Sequence, residues 1–152
     1  MKLTTSTFPP GGPIPKTCTC DGGDRSPALA WSEIPVDTRS FALVCDDPDA
    51  PRGTWVHWVL YDVPASASGL PEGVRGAPTL DDGSRQGTND FRRVGYGGPC
   101  PPRGATHRYF FRLYALDTVL GLAPGATKAT LVKAIEGHTL GQTELMGRYA
   151  RQ

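Results

Sequence analysis

The chain has 152 residues, a formal net charge of +1, 38% hydrophobic and 20% charged residues, with 19 glycines and 15 prolines spread along it. That length suits a single domain over residues 1–152 and is enough to bury a core without staples. The balanced charge excludes the broad basic footprint of a general nucleic-acid binder. No run of about 20 apolar residues occurs, so no stable membrane insertion is expected.

Met1-Lys2-Leu3 leads into Thr4-Thr5-Ser6-Thr7 without the apolar stretch of a secretory leader, which makes the cytoplasm the expected compartment. In that compartment the four cysteines are expected as free thiols. The pair Cys18-x-Cys20 is too close for a usual zinc knuckle and has no second pair, while Cys45 reads as a small core residue.

In chain order, the first 25 residues read as an extended entry with turns at Pro9-Pro10-Gly11-Gly12 and Asp21-Gly22-Gly23-Asp24. Leu29 to Trp31 is a short strand. Phe41 to Asp46 is an apolar buried strand stopped by Asp47-Pro48. Trp55 to Val63 follows. Strict alternation there puts Trp55, His57, Val59 and Tyr61 on one face and Val56, Trp58 and Leu60 on the other. Both faces are apolar, as in an inner strand covered on its second side. Thr106 to Leu116 is the longest strand, with His107, Tyr109, Phe111 and Leu113 sharing a face.

Thr127 can cap a helix whose stripe is Leu131, Ala134 and Ile135, ended by Gly137. A second short helix is expected from Gln142 to Tyr149, with Leu145, Met146 and Tyr149 inward. Strands first and helices last make a mostly β, minor α+β protein.

Two stretches carry the chemistry. Asp47-Pro48-Asp49-Ala50-Pro51 precedes His57-Trp58, and the proline holds the two carboxylates with little freedom to lose on binding. Gly95 to Gly104 contains four glycines and three prolines and runs into His107-Arg108-Tyr109. Glycine lets backbone N–H groups approach a ligand and form an anion-binding concavity, and imidazoles can donate to the same anion. No G-x-S-x-G nucleophile setting and no H-E-x-x-H metal helix occurs. From the residues alone an anion-binding module, an enzyme with an Asp-His base, a metal site and a structural role all stay open, with binding favoured.

These same residues resemble the two signatures of the phosphatidylethanolamine-binding protein family, also called the Raf kinase inhibitor protein family. The first is Asp47-Pro48-Asp49-Ala50-Pro51 with His57-Trp58. The second is Gly98-Pro99 to Pro101-Pro102, Gly104 and His107-Arg108-Tyr109. Cys20-Asp21-Gly22, Ser26 to Trp31, and the tail from Glu136-Gly137-His138 to Tyr149 resemble the bacterial and archaeal branch. The resemblance implies an antiparallel β-sandwich of a large and a small sheet with short C-terminal helices.

It also implies a small-anion pocket built from Asp47, His57, Gly98, Pro99, His107 and Tyr109, supported by Asp49 and Trp55. No metal, no cofactor and no catalytic residue is implied. The ligands implied are phosphate, phosphoethanolamine or a similar anion. Protein kinases or serine proteases are the implied protein targets, and homodimers are known in this branch. The short Arg52 to Val56 segment departs from the longer eukaryotic members and points away from kinase inhibition. A hydrolase using an Asp-His pair is the alternative activity.

Overall fold

The computed structural model describes residues 1–152. Eight strands and one α-helix follow one another as β1 (Lys2–Thr4), β2 (Leu29–Ser32), β3 (Ser40–Asp47), β4 (Trp55–Pro64), β5 (Gly69–Leu70), β6 (Arg85–Gln86), β7 (Thr106–Leu116), α1 (Lys128–Ile135) and β8 (Thr139–Ala150). The small sheet has the order β1-β2-β5 and the large sheet β6-β4-β3-β7-β8. All of these strand pairings are antiparallel. The mostly β architecture of a large and a small sheet is therefore as expected. No helix is long and apolar enough to cross a membrane.

Alternation along β3 divides the core. Phe41, Leu43 and Cys45 join Trp31, Trp58, Leu60, Tyr109, Phe111 and Leu113 in the larger apolar cluster, which the small sheet helps to cover. Ala42 and Val44 face the other way and meet Val56, Val59, Tyr61 and the helix residues Leu131 and Ile135. This is the covered second face that the double-sided apolar pattern predicts. Thr127 caps α1 by accepting the Thr130 N–H at 3.2 Å, and Gly137 follows at φ 79°, the left-handed setting that suits glycine just past a helix end.

Three expectations need correction. The tail from Gln142 to Tyr149 is not a second helix; it lies within β8, paired residue for residue with β7 from Thr106↔Ala150 to Ala115↔Gly141. Leu145 and Met146 fit a helical stripe, but glycine at 147 weakens a helix, and the long edge of β7 offers a full ladder of backbone hydrogen bonds. Gly147 is also where Phe8 and Ile14 pack, since a Cβ there would come within 2.7 Å of both side chains.

The second correction concerns β4. Cys45 pairs with Trp58 and Asp46 with Val56, so His57 is an extra, bulged residue. The bulge turns His57 toward the face of Trp58 and Leu60, not that of Val59 and Tyr61. A second irregularity between the Phe41 and Leu43 pairings falls near Asp62, whose φ is 54°.

The third concerns the thiols. Cys20 and Cys100 form a disulfide with Cα atoms 5.4 Å apart, while Cys18 and Cys45 are free and buried. A reducing compartment disfavours disulfides in general, but here the fold brings the Asp21 turn against the Gly/Pro loop. The Cys20 N–H donates to the Pro99 carbonyl at 3.1 Å across the same contact.

Candidate functional site

Antiparallel order places the end of β3, the start of β4, the start of β7 and the end of β8 at one end of the large sheet. A cavity of about 330 Å³ opens there. Asp47, Trp55, His57, His107 and Tyr109 all line it, so five of the eight residues singled out in the sequence converge.

Asp47 works in two directions. One carboxylate oxygen accepts the Asp49 N–H at 2.7 Å, closing the turn over Pro48. The other accepts the Nδ1–H of His107 at 2.6 Å, with both side chains buried. His107 is thereby oriented with Nε2 as its remaining polar atom. Asp49 stands outside the cavity and ties the turn to β7. It accepts the Arg108 backbone N–H, Nε–H and Nη2–H, each at 2.9 Å. That fork and the added backbone bond hold its carboxyl down to about 2.

His57 is fastened to the Gly/Pro loop by a reciprocal pair. Its Nδ1–H donates to the Gly97 carbonyl at 2.6 Å, and the Gly97 N–H donates back to the His57 carbonyl at 2.9 Å. Burial lowers the pKa of this imidazole, opposed by the Gly97 carbonyl and the Asp47 charge. The ring packs edge-on to Tyr109 at 5.2 Å and Phe91 at 5.4 Å, and Trp55 packs against the same Phe91 at 5.5 Å. Tyr109 is fully buried, its hydroxyl has no partner within the protein, and burial pushes the phenol far above its usual value. No group of three or more His, Cys, Asp or Glu side chains is arranged to hold a metal ion.

Gly98 and Pro99 do not line the cavity. The Gly98 N–H is committed to the Asp24 carboxylate at 2.8 Å, and the Pro99 carbonyl receives Cys20. These two residues brace the wall from behind. Cys100, Pro101 and Pro102 form the wall itself.

Sequence reasoning missed Phe91 and Arg151. Phe91 rides on a loop set by Asn89, whose Oδ1 accepts the Phe91 and Arg93 N–H groups at 2.9 and 3.2 Å. Asn89-Asp90 before an aromatic was the available turn signal. Arg151 follows β8, where Tyr149 lies opposite His107. Reading the tail as strand would have brought it to the site. Its guanidinium is held by Asp21 at 3.0 Å, and Asp21 also accepts the Tyr149 hydroxyl at 2.7 Å.

The family model described as phosphatidylethanolamine-binding protein matches residues 4–150. The chain belongs to this family. Among curated relatives, the UPF0098 protein of Methanothermobacter thermautotrophicus is 54% identical, with 99% of each chain covered. The UPF0098 protein of Aquifex aeolicus is 48% identical over 99% of this chain and 89% of that one. Two crystal structures are similar throughout. A homolog from Chlamydia trachomatis has a TM-score of 0.90 at 40% identity, covering 99% of this chain and 97% of that one. E. coli YbcL, described as a new member of the mammalian PEBP family, has a TM-score of 0.92 at 32% identity over 99% and 98% of the two chains. This phosphatidylethanolamine-binding family member thus keeps the sandwich and both signature loops.

Proposed function

We propose that the cavity binds a small anion, phosphate or a phosphorylated head group, and that the protein is a binding module and not an enzyme. The observation that carries this reading is the Tyr109 hydroxyl, buried in the cavity wall with no partner in the protein. A buried donor without a partner costs about 1–3 kcal/mol, and a ligand oxygen would supply one. His107, its ring oriented by Asp47, lines the same cavity.

The absence of a poised nucleophile supports binding over turnover: the cavity's cysteine is tied in the disulfide, and its tyrosine resists ionisation through burial. A cavity of about 330 Å³ suits a head group and not acyl chains. The cytoplasm remains the proposed compartment, with the disulfide as the feature that tests it, because such bridges are rare in reducing cytosol.

Isothermal titration with phosphate and phosphoethanolamine tests the site. Binding that disappears in His107→Ala, with the fold intact by circular dichroism, is the expected result. Folded protein that takes up neither ligand at millimolar concentration would refute it.

A further inference from the structure

We propose that His57 makes the cavity selective for an oxyanion that still carries its own hydrogen, such as hydrogen phosphate, over one of the same shape and charge that carries none, such as sulfate. This rests on the cavity being an anion site. The Nδ1–H of His57 is spent on the Gly97 carbonyl at 2.6 Å, a bond that turning the ring would break, while the Gly97 N–H donates to the His57 carbonyl and holds the two backbones together. A neutral imidazole has one donor and one acceptor. Nε2, the atom left without a protein partner, is therefore a lone pair on a wall of the cavity.

The alternative is a doubly protonated ring. The ring is buried, with Phe91 and Tyr109 edge-on to it. Besides the Gly97 carbonyl, the groups acting on it are the Asp47 carboxylate, the Gly98 backbone and the Asp24 carboxylate, all favouring protonation. Asp47 has both oxygens committed, to the Asp49 N–H and to His107. Asp24 likewise spends one oxygen on the Gly98 N–H and faces Arg93 at 3.6 Å with the other. Each carboxylate is already stabilising another donor, and burial of the ring prevails, lowering its pKa.

The cavity thus presents the Tyr109 hydroxyl as a donor and His57 Nε2 as an acceptor. A fully deprotonated oxyanion would turn an oxygen lone pair toward that of His57. Hydrogen phosphate turns a P–O–H there instead, and another of its oxygens accepts from Tyr109. Leaving a buried polar atom unmatched costs about 1–3 kcal/mol, which is roughly a tenfold to hundredfold difference in affinity.

The test uses the unaltered protein. Titration calorimetry at neutral pH compares inorganic phosphate with sulfate at constant ionic strength, and 15N NMR of the imidazoles reads the state of His57 in the phosphate complex. Phosphate binding at least about tenfold tighter than sulfate, with Nε2 of His57 unprotonated, is expected. Equal affinity, or a His57 ring protonated on both nitrogens in the complex, would overturn the role of His57 and leave anion binding intact. Absence of binding by either ion at millimolar concentration would overturn both.

Discussion

The Asp47 carboxylate and the His107 imidazole meet at 2.6 Å although 60 positions separate them in the chain. β3 and β7 are neighbours in register, with Asp46 opposite Phe110, so Asp47 and His107 emerge at the same end of adjacent strands. The same Asp47 side chain closes the turn over Pro48. One residue therefore sets both the loop at the cavity mouth and the ring at its wall.

Replacing Asp47 with Asn removes one of those two acceptors and sets an amide N–H either against the His107 Nδ1–H or against the Asp49 N–H. We expect a stability loss of about 1–3 kcal/mol and anion affinity reduced by at least about tenfold. Chemical denaturation and titration calorimetry on the same samples check this. Unchanged affinity in a folded Asp47→Asn protein would show that His107 needs no orienting partner.

The Cys20–Cys100 bridge closes a loop of sequence separation 80. Loop-closure entropy for that length predicts that Cys20→Ser lowers stability by about 4 kcal/mol, less where the open form keeps residual structure. Cys100 is also in the cavity wall, so the reduced protein should bind phosphate more weakly. Denaturation midpoints with and without reductant, alongside calorimetry, provide the measurement. The redox state of the protein isolated from cells under thiol trapping tests the compartment.

Adjacent glycines should respond differently. A Cβ on Gly98 would lie 2.2 Å from the Cys18 carbonyl oxygen and 3.0 Å from the Thr19 Cα, both backbone atoms that cannot step aside. Gly98→Ala is expected to lose about 3 kcal/mol or more, comparable to severe overpacking. A Cβ on Gly97 would instead meet the Phe91 ring at 2.5 Å. Gly97→Ala should displace that ring, costing less stability but altering the cavity wall and weakening binding. Paired thermal melts and titrations of the two variants would separate the effects.

Acid should weaken the fold in two separate windows. His57 has a folded pKa below its ordinary value of 6.5 because burial disfavours its charged form. The unfolded chain then binds the proton more readily, so this contribution is complete above about pH 6.5 and declines as pH falls below it. Asp49, held at about 2 against an ordinary 3.8, contributes above about pH 4, and that contribution is lost as pH drops toward 2. His57→Asn, whose side-chain amide can still reach the Gly97 carbonyl, should flatten the upper window. Asp49→Asn should flatten the lower one. Stability measured against pH for the three proteins decides it, and superimposable profiles would discount both assignments.

Much of the site was legible because its parts are local. Asp47-Pro48-Asp49 is a turn by its own chemistry, and alternation along Thr106–Leu116 correctly put His107 and Tyr109 on the buried face. Alternation failed at Trp55–Pro64 because a bulge is defined by the partner strand: only pairing with β3 shows that His57 is the extra residue. The tail failed for a related reason. Its intrinsic preferences are weak, and the unpaired edge of β7 decides between helix and strand. Phe91 and Arg151 were invisible as site residues because nothing in their own neighbourhood marks the cavity.

By itself, then, the sequence determined the mostly β class, the two signature loops and the inward histidine and tyrosine of β7, all consequences of short-range periodicity and turn chemistry. Tertiary structure alone decided which side His57 faces, that Cys20 and Cys100 bond, and that Gly98 spends its N–H on Asp24. Each of these depends on a partner ten or more residues away, and hydrogen bonds and disulfides form by distance in space, which the order of residues does not specify.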